Sequence, residues 1–185
     1  MIDEVLLDAE DRMDKAITAF EHTLATVRTG RASTALVEHL QVSVYGQMMP
    51  LNQLANLATP DAQLITIQPW DRASVDPIMK AIQQSDIGIT PASDGALIRL
   101  PVPPLTEDRR RDLVKQVHAK TEEARIAVRN VRRHAIDELR KELREGDVSE
   151  DEERRAQDEV EKLTSAHVER LDALAKVKEE ELLAV

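Results

Sequence analysis

Cysteine is absent from this 185-residue chain, which excludes disulfide frameworks and thiolate metal sites. A reducing compartment fits that absence. Aromatic residues are almost as scarce, with one Trp, one Tyr and one Phe. Any core must therefore be filled by aliphatic side chains and alanine, which favours long helices over an aromatic-rich sandwich. No apolar run approaches the roughly 20 residues of a membrane span. The first residues, "MIDEVLLDAEDRMD", carry early acids and lack a signal-peptide core. A soluble cytoplasmic protein with no membrane partner is expected. Gly-rich phosphate loops, GxSxG and HExxH are also missing. The five histidines (22, 39, 118, 134 and 167) include no pair four residues apart that would share a metal. The chain is therefore not expected to be an enzyme, nor to hold a cofactor or metal.

What is present is charge, distributed unevenly. Residues 30–105 contain all eight prolines and four of the five glycines, but only ten of the 60 charged residues. On either side the sequence has helical periodicity. Ile2, Val5, Leu6, Ala9, Met13, Ile17, Phe20, Leu24 and Val27 recur at three- and four-residue steps, forming one apolar stripe that should run to Gly30. After residue 105, Thr106 is a plausible N-cap, and Glu107 and Asp108 suit the first turn of a helix. Leu113, Val117, Ala124, Val128, Val131, Ala135 and Leu139 continue the stripe toward Gly146. Ser149 and Glu152 then have capping-box spacing, and Val160, Leu163, Leu171, Leu174 and Leu182 mark a third long helix.

A single apolar stripe cannot bury itself, so the three helices should pack as an antiparallel bundle. That places 1–29 and 106–185 in one discontinuous domain, with 30–105 inserted. Within the insert, "LQVSVY" (40–45), "LITIQP" (64–69) and "LIRLPV" (97–102) read as strands, and Val75, Ile78, Met79 and Ile82 as a helix. The fold class is α+β: a long three-helix bundle with a small β/α/β insert. The chain crosses between the two domains twice, near 29–31 and 102–105, and a hinge is expected there.

The bundle's second helix is unusual. Residues 109–145 hold 12 bases and seven acids in a protein whose net charge is −10. At 3.6 residues per turn, Arg125, Arg129, Arg132, Arg133 and Arg140 share a sector about 100° wide. Most acids of the helix lie on another flank, and the apolar stripe on a third. Such a strip on an otherwise acidic protein suits a phosphate backbone, and arginine's planar fork grips phosphate bidentately. Charge runs on long helices are also commonly solvated or paired within the helix. Segregation of the bases favours the polyanion reading, and RNA over duplex DNA, because no helix-turn-helix or zinc-finger spacing occurs.

Four stretches carry a resemblance: "VRTGRAS" (27–33), "DRASVDPIMKAIQQSDIGITP" (71–91), "PVPPLTEDRRRDLVK" (101–115) and "ARIAVRNVRRHAIDEL" (124–139). Over essentially its whole length the chain resembles the bacterial ribosome recycling factors, also called ribosome-releasing factors. The resemblance implies an L-shaped, monomeric two-domain protein with an outline like transfer RNA. It implies binding to the post-termination 70S ribosome, chiefly to large-subunit 23S rRNA. Elongation factor G, which carries the GTP, would then help to split the subunits and release messenger RNA and deacylated transfer RNA. The implied RNA-contact residues are Arg132, Arg129, Arg110, Arg28, Arg31 and Arg133. Of these, Arg110 falls at the core edge of the helical wheel, so its role rests on the resemblance. Gly30, Pro103, Pro104 and Leu105 are the implied hinge. The competing function is a helical adaptor, or an RNA-binding module that splits nothing.

Overall fold

The computed structural model describes residues 1–184. Four α-helices and six strands follow one another along the chain: α1 (Ile2–Ala25), β1 (Gln41–Val44), β2 (Gln47–Pro50), β3 (Ala55–Asp61), β4 (Leu64–Pro69), α2 (Val75–Gln84), β5 (Ala92–Ser93), β6 (Ile98–Pro101), α3 (Glu107–Glu145) and α4 (Glu150–Leu183). They form two compact units. Met1–Leu24 and Lys115–Glu180 make the first, and Ala25–Val114 with the chain from Glu181 onward makes the second.

The first unit is the helical bundle. Its core holds much of the expected stripes, Ala9, Met13, Ile17, Phe20 and Leu24 from α1, Val117, Val128, Val131, Ala135 and Leu139 from α3, and Val160 and Leu171 from α4, joined by Ala156 and Ala175; Ile2, Val5, Leu6, Ala124, Leu163 and Leu174 are only partly buried. Two buried threonines are satisfied within their own helices, Thr121 Oγ1 donating to Val117 O at 2.6 Å and Thr164 Oγ1 to Val160 O at 2.8 Å.

The helix ends follow local chemistry. Thr106 Oγ1 accepts the Arg109 amide at 3.1 Å and caps α3. Gly146, at φ +82°, ends it: the Asp147 amide reaches back to Glu142 O at 3.0 Å, as in a Schellman turn. The capping box of α4 also forms. The Ser149 amide donates to Glu152 Oε2 at 2.8 Å, and the Glu152 amide to Ser149 Oγ at 3.3 Å. These bonds, first the one from the Ser149 backbone and then the one from its side chain, hold the Glu152 carboxyl below the ordinary glutamate range. The resulting stabilisation is complete above the ordinary glutamate pKa and is lost as pH falls through the depressed one. Amide-exchange protection factors at Ser149, Glu152 and Glu153 should therefore fall on acidification before those in the middle of α4 respond, and Glu152→Gln should remove that pH dependence.

One boundary differs from expectation. α1 ends at Ala25, five residues short of Gly30. Three of the next four residues, Thr26, Val27 and Thr29, are β-branched and lose side-chain freedom in a helix. Val27 is nonetheless buried.

The second unit contains two antiparallel sheets. β1 and β2 form a two-stranded ribbon, and the other strands form a four-stranded sheet in the order β3-β4-β6-β5. The three expected strands are observed within a residue or so at each end, and α2 lies over the expected apolar residues. β2, β3 and β5 complete the sheets. In the ribbon, Tyr45 and Gly46 form a two-residue turn with φ of +51° and +75°, matching the twist of the flanking strands. The core gathers Val42 and Val44 of β1, Ile65 and Ile67 of β4, Ile98 and Leu100 of β6, and Val75, Ile78 and Ile82 of α2.

Candidate nucleic-acid interface

Within the bundle, the arginines of α3 divide into two sets. His118, Arg125 and Arg132 are seven residues apart, so they fall along one line of the helix. That line faces acids of α4. His118 Nε2 lies 3.2 Å from Glu179 Oε2, Arg125 Nη2 2.5 Å from Asp172 Oδ1, and Arg132 Nη1 3.7 Å from Glu161 Oε1. Arg125 is the most firmly held, with Nε also 2.9 Å from Asp172 and Nη1 3.0 Å from Glu122. The Asp172 bond first, and Glu122 second, raise its pKa further above the ordinary arginine value. Arg125 is thus committed to joining α3 and α4. Arg132 is looser: its Nε is buried without a hydrogen-bond partner among the described residues, and its side chain is 35% exposed.

The second set points to solvent. Arg129 is 48% exposed, and its contact with Glu122 is stretched to 3.5 Å. Arg133 is exposed and has no ion pair among the described residues. Arg140 is exposed, at 4.0 Å from Asp137. The strip expected from the sequence is therefore narrower than its full sector. One margin is neutralised by α4, and Arg129 and Arg133 form the open margin.

In the other unit, Arg28, Arg31, Arg109 and Arg110 come from the segment after α1 and from the first turn of α3. Arg110 Nη1 donates to the Ala184 carbonyl at 2.9 Å, and the side chain has no ion pair among the described residues. Arg28 is partly buried, and desolvation, followed by repulsion from Arg109, lowers its pKa. Neither Arg28, Arg31 nor Arg109 has an ion pair among the described residues. Two guanidinium groups that repel one another without a carboxylate between them are stabilised by an anion from outside. Arg109 was not singled out in the sequence, although the "RRR" run contains it. Its proximity to Arg28 depends on the fold.

The residues expected to hinge lie inside the second unit, whose borders fall at Leu24–Ala25 and Val114–Lys115. Gly30 has φ +85°, and a Cβ there would lie 3.4 Å from the Leu105 amide nitrogen and 3.5 Å from Leu105 Cγ. Leu105 is buried, while Pro103 and Pro104 are exposed. Backbone conformation and the close approach of Leu105 both suit glycine at position 30. Among the described residues, no helix is long and apolar enough to cross a membrane and no cluster of His, Cys, Asp or Glu could hold a metal ion.

Comparison with known proteins gives this geometry a context. The family described as ribosome recycling factor matches residues 20–183. Ribosome-recycling factors from Chloroflexus aurantiacus and Halalkalibacterium halodurans are 52% and 49% identical to this chain, each over 100% of both proteins. A solution structure of a ribosome recycling factor, 42% identical, superposes with a TM-score of 0.77 over 100% of this chain and 98% of that one. A second structure, 42% identical with a TM-score of 0.64 and complete coverage of both chains, is described as models for the T. thermophilus ribosome recycling factor and the E. coli elongation factor G bound to the E. coli post-termination complex. The likeness in sequence and in fold runs from end to end, and this chain belongs to the ribosome recycling factor family.

Proposed function

We propose that this protein binds the post-termination ribosome of the bacterial cytoplasm and, with elongation factor G and GTP, promotes separation of the subunits, so that messenger RNA and deacylated transfer RNA leave. The observation that carries this reading is a set of guanidinium groups with no ion pair among the described residues, Arg133 on α3 and Arg28, Arg31, Arg109 and Arg110 in the other unit, together with the weakly paired Arg129, on a protein of net charge −10. Large-subunit 23S rRNA is the natural target for them, with Arg132 adding a looser contact. Acidic surface elsewhere discourages indiscriminate binding to polyanions. The protein contributes no covalent chemistry and works as a monomer: it binds RNA and transmits force, while nucleotide hydrolysis belongs to the elongation factor. The hinge is assigned to Gly30 and the segment Pro103, Pro104 and Leu105, which lie inside the second unit. Arginines of both units supply the grip, and the inserted domain receives the push.

Co-sedimentation with ribosomes at increasing salt tests the electrostatic grip. Four phosphate contacts with the slope of single-stranded RNA weaken affinity roughly 50-fold between 50 and 200 mM salt. A helical adaptor that does not recognise RNA would stay in the supernatant throughout.

A further inference from the structure

The open margin of α3 has a second kind of neighbour. Ile126 is 49% exposed, the one large hydrophobic side chain of α3 so exposed among the described residues. At 3.6 residues per turn, Arg133 and Arg129 lie about 20° and 60° to one side of it, and Asn130 and Glu123 about 40° and 60° to the other. Asn130 and Glu123 are exposed, and among the described residues neither side chain has a hydrogen-bond or ion-pair partner. Glu122, on the arginine side, is occupied by Arg125 and Arg129. Two chemistries therefore run side by side along the helix. The arginines offer charge to phosphates. Beside them lie an apolar patch, a carboxamide with both donors and an acceptor, and a carboxylate that repels phosphate. A single exposed apolar side chain is ordinary. Its place between two open guanidinium groups and an unpartnered carboxamide gives this one a role.

We propose that Ile126 and Asn130 determine specificity in the RNA contact. With phosphates held by Arg129 and Arg133, Ile126 packs on the ribose or base face of an unpaired nucleotide, and the Asn130 carboxamide hydrogen-bonds its 2′-hydroxyl and base edge. This role deepens the function proposed above and rests on it. Glu123 closes the far side to phosphate, so the RNA backbone stays over the arginines and the nucleoside faces Ile126. Phosphate contacts position RNA without reading it. A polyanion that lacks nucleosides satisfies the arginines alone, and the second margin separates RNA from such competitors.

Ile126→Ser and Asn130→Ala test the proposal, with Ile126→Val as the conservative control and Arg133→Ala as the phosphate-contact reference. All three positions are exposed, so melting temperatures should be nearly unchanged. In ribosome co-sedimentation, Ile126→Ser and Asn130→Ala should each weaken affinity roughly fivefold, the effect of covering the exposed half of an isoleucine or of making one hydrogen bond. The slope of log affinity against log salt should stay the same for both. Ile126→Val should bind normally, and Arg133→Ala should reduce the slope by about 0.7. On immobilised heparin, a polyanion without nucleosides, only Arg133→Ala should elute at lower salt. At saturating protein, acylation of ribosomal 2′-hydroxyls should reveal a nucleotide protected by the unsubstituted protein and by Arg133→Ala but not by Asn130→Ala. Full ribosome affinity of Ile126→Ser and Asn130→Ala overturns the proposal. So does an equal loss on heparin. Weaker ribosome binding with an unchanged 2′-hydroxyl pattern also overturns it, because the face would then meet a ribosomal protein. Failure of the unsubstituted protein to sediment with ribosomes would instead reject the function on which the proposal rests.

Discussion

Replacing Arg129 and Arg133 together with glutamate is expected to weaken ribosome binding by about 10²- to 10⁴-fold, because each charge-assisted contact contributes roughly 1.5–3 kcal/mol and tenfold corresponds to about 1.4 kcal/mol. The fold should tolerate the change. Arg133 has no ion pair to lose among the described residues, and Arg129 gives up only a 3.5 Å contact with Glu122. Exposed pairs of that kind contribute about 0–1 kcal/mol. Arg125→Ala should behave in the opposite way. Its guanidinium bridges Asp172 and Glu122, so its loss should lower the melting temperature modestly and leave binding to ribosomes nearly unchanged. Measuring both variants by co-sedimentation and thermal melting separates an open edge from a neutralised one, which a single arginine substitution does not. Equal effects of the two variants on binding would show that the whole stripe, and not one margin of it, meets RNA.

The division between those margins explains what the sequence revealed and what it concealed. Helix starts were legible because they depend on residues three or four apart: Thr106 with the Arg109 amide, and Ser149 with Glu152. Apolar stripes were legible for the same reason, and β1, β4 and β6 through their alternation. β2 and β3 were not. "QMMP" and "ANLATPD" lack alternation, and they become strands by pairing with β1 and β4. The arginine stripe combined both kinds of information. Its position on α3 follows from 3.6-residue periodicity, but the helical wheel of one helix contains no account of its neighbours. Glu161, Asp172 and Glu179 are distant in sequence and settle which guanidinium groups remain open. Arg109 beside Arg28 is the converse case, an extra cation supplied by a contact across about 80 residues of sequence.

His167→Ala should destabilise the bundle by about 2–4 kcal/mol, combining the cavity left by a buried ring with the loss of its hydrogen bonds. The ring is 5% exposed, in a core containing only one aromatic residue. Nδ1 lies 2.6 Å from the Leu163 carbonyl and Nε2 2.8 Å from Asp14 Oδ1, so this side chain ties α4 to α1. Asp14 is 53% exposed, and water can replace the histidine at its carboxylate. Asp14→Asn should therefore cost less, about 1 kcal/mol. The ordering of the two variants in chemical denaturation is diagnostic: equal losses would place the contribution in the Asp14 contact, and the expected inequality places most of it in burial of the ring. At temperatures where His167→Ala remains folded, its affinity for ribosomes should be unchanged, because Arg129 and Arg133 project from α3 and neither contacts this residue. Force applied to a bundle is transmitted only while its helices stay together. Loss of subunit splitting by this variant near its melting temperature, with the arginine edge untouched, would locate the defect in the bundle's cohesion and leave RNA recognition intact.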